Sequence, residues 1–248
     1  GLYMDKSRKI EVLKKKLDDS KYTVALCGSG MMAECGYTGM KIPEKAYEVE
    51  RIYGESPEDI FTSVYYNNRP AQFFQFYREE VLQGDREPSA SFYALANMER
   101  RGKLQCIITG NMYEYPQKAS CRNVINLHGS IYENVCPHCG RKYSLDYIKN
   151  SSKVPLCEAC SRVIRPQVAL YGEMMDSRLM TRATKEIENA DVLVLLGTTL
   201  DSELFSKYIK YFEGSNLIII HKEYHHSDER ADLFILDEPK NVLPKLGY

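Results

Sequence analysis

The chain repeats one pattern: a short apolar run, a glycine or polar turn, then a longer amphipathic stretch. Runs rich in Val, Ile and Leu occur at "YTVALCGSG" (22–30), "LQCIITG" (104–110), "NVINLHG" (123–129), "QVALYG" (167–172), "DVLVLLG" (191–197), "NLIIIH" (216–221) and "LFIL" (233–236). Uninterrupted apolar runs of this length predict strands buried on both faces, as in a parallel sheet. Between them Leu179, Ala183 and Ile187 share one helical face, as do Leu204, Phe205, Tyr208, Ile209 and Phe212. Alternating strands and helices predict an α/β, doubly wound core. Four of the strands end in a glycine turn, where such sheets bind ligands.

Two segments interrupt the alternation. Residues 36–85 contain no convincing strand, and "RPAQFFQFYREEVL" aligns Phe73, Phe74, Tyr77 and Val81 on one stripe, so helices are expected there. Residues 131–165 carry paired cysteines and little periodicity. The expected organisation is a sheet domain (1–35, 86–130 and 166–248) with an inserted helical module (36–85) and an inserted metal module (131–165). Gly1–Tyr3 precede Met4 and read as an expression scar.

At 248 residues and 44% apolar composition the chain can build a substantial core and is not of the disordered class. Runs such as "VLVLL" (192–196) are too short to span a membrane, and the N-terminal stretch lacks an apolar signal core, so a cytoplasmic location is expected. A net charge of −1 argues against a nucleic-acid partner, which calls for a basic excess.

The eight cysteines, with no signal peptide, read as thiols. Four follow the spacing Cys136-x2-Cys139-x17-Cys157-x2-Cys160. Each pair forms a knuckle that turns two sulfurs toward one ion, and two knuckles complete a tetrahedral zinc site. Four thiolates leave no open position, so this zinc would be structural, replacing a core that a short segment cannot build. The alternatives are four unrelated cysteines or a nucleic-acid-binding ribbon. The six Lys or Arg against three Asp or Glu in 131–165 give the ribbon little support. His138 lies inside the first knuckle, but four sulfurs suffice. Cys27, Cys35, Cys106 and Cys121 read as small buried apolar residues.

His128, eight residues ahead of Cys136, has three readings: metal ligand, structural imidazole or proton acceptor. "CGSGMMAECG" sets Gly28, Gly30 and Gly36 just after the first strand. Glycines there let backbone approach a pyrophosphate. A tight strand-to-helix turn without a ligand accounts for them equally well.

Taken in order, the glycine turn, "ITGN", "LHGS", the two knuckles, "IRPQVALYGE", "DVLVLLGTTL" and "LIIIH" resemble the sirtuins, NAD-dependent protein deacylases, over residues 22 to 236. The resemblance implies a Rossmann-type domain with helical and zinc insertions, NAD and structural zinc, and an acylated protein or peptide as substrate. It places Gly28, Ser29 and Gly30 at the NAD pyrophosphate, and Asn111 at the nicotinamide ribose with a catalytic part. His128 becomes the catalytic base that deprotonates a ribose hydroxyl, a role suited to an imidazole at neutral pH. Tyr171, Gly172 and Glu173 would line the acyl-peptide groove. Gly197, Thr198 and Thr199 would meet the phosphates and adenosine ribose, with His221 at that ribose.

The departures gather at the nicotinamide end. After Gly36 the family's Ile-Pro-Asp-Phe-Arg is replaced by "YTGMK", and its "TQNID" becomes "TGNMY". The Asp that reads the carboxamide is therefore Tyr113, and Met32 replaces a serine. Tyr37, Lys41, Glu44 and Tyr47 are candidates to rebuild the pocket. Two alternatives to deacylation follow: ADP-ribosyl transfer or NAD hydrolysis, and a catalytically silent NAD or ADP-ribose sensor.

Overall fold

The structure, a computed structural model, describes residues 4–248; Gly1–Tyr3, read above as an expression scar, lie outside the described residues. Its strands are β1 (Thr23–Cys27), β2 (Cys106–Thr109), β3 (Val124–Asn126), β4 (Gly129–Val135), β5 (Lys142–Tyr143), β6 (Arg165–Val168), β7 (Val192–Leu196), β8 (Asn216–His221) and β9 (Leu233–Leu236). The chain divides into two compact units: one holds the described residues to Gly36, Glu87–Leu127 and Asp176–Tyr248, the other Tyr37–Arg86 and His128–Met175. The segments 36–85 and 131–165 thus fall almost entirely in the second unit.

The first unit is an α/β layer built on a six-stranded sheet of order β3-β2-β1-β7-β8-β9, parallel at every pairing. Every residue of β1, β2 and β7 is buried, as strands covered on both faces require. Helix Lys6–Asp19 starts where the Asp5 carboxylate accepts the Arg8 amide at 2.8 Å, and it buries Leu13 and Leu17. Helix Ser177–Asn189 is capped by Asp176 and buries Ala183 and Ile187, two of the three expected positions. The expected stripe at 204–212 is shorter than its periodicity suggests: only Ser206–Ile209 is α-helical, with Phe205 and Tyr208 buried. The order reverses between β1 and β7, which makes the carboxyl ends of those two strands the switch point of the sheet.

The second unit opens with helices Pro43–Tyr53, Pro57–Ile60, Ser63–Asn68 and Pro70–Glu79. Three begin with proline, whose fixed φ suits a first helical position. Ser56 and Thr62 cap two of them through side-chain oxygens, and Gly54, at φ 82°, ends the first. The stripe of Phe73, Phe74, Tyr77 and Val81 is wholly buried, with Phe73 and Tyr77 stacked at 5.8 Å. The rest of the unit carries a small sheet of order β5-β4-β6, antiparallel at both pairings.

That small sheet corrects one expectation. The "QVALYG" run does not join the parallel sheet; β6 pairs with β4 instead. Its burial alternates, with Pro166 and Val168 inside and Arg165 and Gln167 half-exposed, as in an antiparallel strand with one covered face. The segment 131–165 also holds more regular structure than its pattern shows: β5 and helix Leu145–Asn150.

Candidate functional site

Gly28 and Gly30 leave the end of β1, and Gly197 the end of β7. The Gly28 amide donates to the Leu196 carbonyl and the Gly30 amide to the Gly197 carbonyl, both at 2.9 Å. A Cβ on Gly28 would lie 2.4 Å from Thr198 Cβ, and one on Gly30 2.8 Å from Gly197 Cα. Gly197 itself, at φ 63°, would meet the Met31 amide nitrogen at 2.7 Å. Two turns are therefore packed backbone to backbone at the switch point, and no side chain fits at any of these glycines. The short helix Ser29–Ala33 follows, with Ser29 exposed. The glycines allow this turn-to-turn contact, and the turns lie at the switch point, where doubly wound sheets receive ligands.

The other expected coenzyme residues of the first unit are also at strand ends. Thr198 is buried and Thr199 half-buried just after β7; His221 closes β8, where burial holds its imidazole below the ordinary 6.5. The Thr199 hydroxyl donates to Asp201 Oδ1 at 2.7 Å. Asn111 is buried and locally tied: its Oδ1 accepts the Tyr113 amide at 2.7 Å and its Nδ2 donates to Thr109 Oγ1 at 3.3 Å. This Asx turn sends Tyr113 into the core, wholly buried and stacked on Tyr115 at 5.7 Å.

The second unit holds the remaining expected residues. His128 is half-buried just before β4, and its carbonyl accepts the Ala169 amide at 2.9 Å. Gly129, at φ 79°, passes so close to β6 that a Cβ would meet the Gln167 carbonyl oxygen at 2.0 Å. The "HG" pair thus joins a histidine to the one residue type its neighbour position accepts. Tyr171 is half-buried: its amide donates to the Phe61 carbonyl at 2.9 Å, and its ring meets Phe61 edge-on and Lys41 Nζ at 4.9 Å. Burial pushes the Tyr171 phenol up to about 12, so it stays protonated at neutral pH. Gly172 takes φ 84°. Glu173 is exposed, yet its Oε1 accepts both the Leu170 amide and the Arg165 guanidinium at 2.7 Å, which pins the loop that carries Tyr171. Of the candidates for a rebuilt pocket, Lys41, Glu44 and Tyr47 are exposed and Tyr37 half-buried.

The four cysteines converge as their spacing predicts. The sulfurs of Cys136, Cys139, Cys157 and Cys160 all lie within 4.8 Å of one another, and Cys139 and Cys157 are 3.7 Å apart. Sulfurs about 2.3 Å from a tetrahedral zinc are about 3.8 Å from each other, so the donor set fits zinc. The knuckles match in detail: Gly140 donates to the Cys136 carbonyl and Ser161 to the Cys157 carbonyl, each in the left-handed region. Tyr143 donates to Cys157 Sγ at 3.2 Å and accepts the Glu158 amide at 2.8 Å, a support the spacing does not reveal. His138 is exposed and outside the cluster. Cys27, Cys106 and Cys121 are buried and Cys35 half-buried.

Sequence reasoning missed Asp201, His225, Arg165 and Tyr143 as supports. Arg165 stands in "IRPQVALYGE", but nothing local marks the other three. No helix among the described residues is long and apolar enough to cross a membrane.

Comparison with known proteins gives the family. The Sir2 family profile matches residues 28–203. A Clostridium acetobutylicum protein named NAD-dependent protein deacetylase is 35% identical over 236 residues, covering 95% of this chain and 96% of the relative. Its namesake from Clostridium tetani is 32% identical, covering 95% and 98%. Among solved structures, a Sir2 homologue in complex with ADP ribose superposes with a TM-score of 0.81 at 28% identity, covering 98% and 95%. A Sir2–p53 peptide–NAD+ structure does so with 0.80 at 26% identity, covering 96% of each chain. The chain belongs to the Sir2 family, the sirtuins.

Proposed function

We propose that this sirtuin is an NAD-dependent protein-lysine deacylase that releases nicotinamide and forms O-acyl-ADP-ribose. The observation that carries the proposal is the family match across 28–203, within which the switch-point glycines and His128–Gly129 are intact. NAD and an acylated lysine are the substrates. The acyl oxygen displaces nicotinamide from ribose C1′, a ribose hydroxyl then attacks the acyl carbon, losing a proton as it does so, the lysine amine leaves, and water opens the resulting adduct to O-acyl-ADP-ribose. His128 accepts that proton, with Asn111 at the nicotinamide ribose. Gly28, Ser29, Gly30, Gly197 and Thr198 take the pyrophosphate side, and Thr199 and His221 the adenosine ribose. Tyr171, Gly172 and Glu173 line the acyl-peptide groove, held by Arg165. Zinc bound by the four cysteines supplies rigidity and no chemistry. We assign the protein to the cytoplasm, where its four metal-binding thiols stay reduced. The division into a coenzyme domain with helical and zinc insertions belongs to the same proposal.

The test is incubation with NAD and acyl-lysine peptides, following nicotinamide release and O-acyl-ADP-ribose by mass spectrometry. His128→Ala should abolish turnover without changing the unfolding transition; undiminished turnover would remove His128 from its role.

One observation favours a second reading. Tyr113 stands where the family's carboxamide-reading Asp is expected, and its side chain is wholly buried. A site lacking that contact would hold the ADP-ribose part and leave NAD intact, as a sensor does. Calorimetric binding without any product decides for the sensor; ADP-ribosylated protein or free ADP-ribose decides for transfer or hydrolysis.

A further inference from the structure

Thr199 and Asp201 follow β7, and His225 lies in the segment after β8; all three belong to the first unit. Thr199 Oγ1 is 2.7 Å from Asp201 Oδ1, and Asp201 Oδ2 is 3.0 Å from His225 Nε2. Chemistry fixes the direction of each bond. A carboxylate only accepts, and the threonine hydroxyl holds the Asp201 carboxyl below its ordinary range, in the ionised form. Thr199 therefore gives Asp201 its single proton, and His225 carries a proton on Nε2. His225 Nδ1 accepts the Ser227 amide at 3.1 Å, so the neutral imidazole already has the required tautomer. The buried Asp228 anchors the same residue, accepting the His225 amide at 2.7 Å.

With its proton committed, the Thr199 oxygen presents only lone pairs. It cannot donate to a phosphate oxygen, but it can accept from a ribose hydroxyl. Beside it the Asp201 carboxylate, its side chain 58% exposed, keeps its charge at the surface. A nucleotide bearing a 2′-phosphate on that ribose would bring dianionic oxygens against this carboxylate.

We propose that Asp201, held by His225, turns Thr199 into a hydrogen-bond acceptor for the adenosine ribose and makes the site select NAD over NADP. The assignment rests on the coenzyme reading above. It makes Asp201 the specificity-determining residue and His225 a positioning residue.

Calorimetric titration of the full chain with NAD and with NADP tests this in the wild type, D201N, T199V, H225A and H225Q. The wild type should favour NAD. D201N should narrow the NAD-to-NADP affinity ratio by about tenfold. T199V should weaken NAD while NADP stays excluded, because the carboxylate remains. H225A leaves the carboxylate charged but unheld, so it should weaken NAD and narrow the ratio by less than D201N does, and H225Q, which can still donate to Asp201, should restore both. If D201N does not fold, the T199V and H225A pair decides by the same contrast. An unchanged ratio in D201N with NAD still bound overturns the assignment and leaves the coenzyme reading standing. A folded wild type that binds neither nucleotide overturns both.

Discussion

Gly129, paired with Val168 in the β4–β6 register, lies against the backbone of Gln167, with 2.0 Å between the Gln167 carbonyl oxygen and the place a Gly129 side chain would occupy. The residue next to the proposed base thus acts by steric absence, letting two paired strands approach closely. Its φ of 79° adds a second reason for glycine. Gly129→Ala should destabilise the fold by about 3 kcal/mol, from strain and overpacking together. Chemical denaturation reads the loss, and a change under about 0.5 kcal/mol would contradict the close approach.

The two zinc knuckles carry different residues at the left-handed position after their second cysteine. Gly140 takes φ 77° without strain, whereas Ser161 takes φ 57° with a Cβ. Ser161→Gly should therefore stabilise the zinc-loaded protein by about 1 kcal/mol, and Gly140→Ser should cost a similar amount. Denaturant midpoints of the two variants should move in opposite directions.

Elemental analysis should find one zinc per chain, lost in Cys157→Ser. Because the metal's binding energy is folding energy for such a module, chelation should unfold β5 and the knuckles. Hydrogen exchange with and without chelator would show protection lost over 136–165. Full protection without metal would argue against a structural ion.

Tyr77 is wholly buried among Phe61, Phe73 and Phe74, and its hydroxyl has no hydrogen-bond partner among the described residues. A polar group buried unpaired costs about 1–3 kcal/mol. Tyr77→Phe should therefore raise the denaturation midpoint, and a lower one would mean that the hydroxyl is paired.

The His221 imidazole is held below 6.5 by burial, against the pull of Asp228. The unfolded chain then takes up the proton first as pH falls. The stability tied to this residue is complete above about 6.5 and is lost as pH falls from there toward the lowered folded value. His221→Asn should flatten the dependence of the denaturation midpoint on pH in that interval. An identical slope in both proteins would refute the assignment.

Much of the molecule could be read along the chain because burial leaves a one-dimensional trace. The unbroken apolar runs of β1, β7 and β8 mark strands covered on both faces, and the buried stripe at Phe73, Phe74 and Tyr77 marks a helix. Cysteine spacing was equally informative, since a knuckle is a local structure and two of them already define a coordination shell. The order of motifs around His128 carried the family.

Partners distant in sequence left no such trace. β6 has an apolar run like the others, and only its pairing with β4 shows that it lies outside the parallel sheet. Gly30 and Gly197 each look like a turn glycine, and only their contact explains why neither tolerates a side chain. The sequence by itself determined which segments are buried, in what period, and which residues can bind a metal, because those properties depend on neighbours a few positions away. Tertiary structure alone decided that Tyr113 turns into the core and that Thr199, Asp201 and His225 form one chain of hydrogen bonds, because hydrogen-bond direction and steric room are set by atoms that meet only after folding.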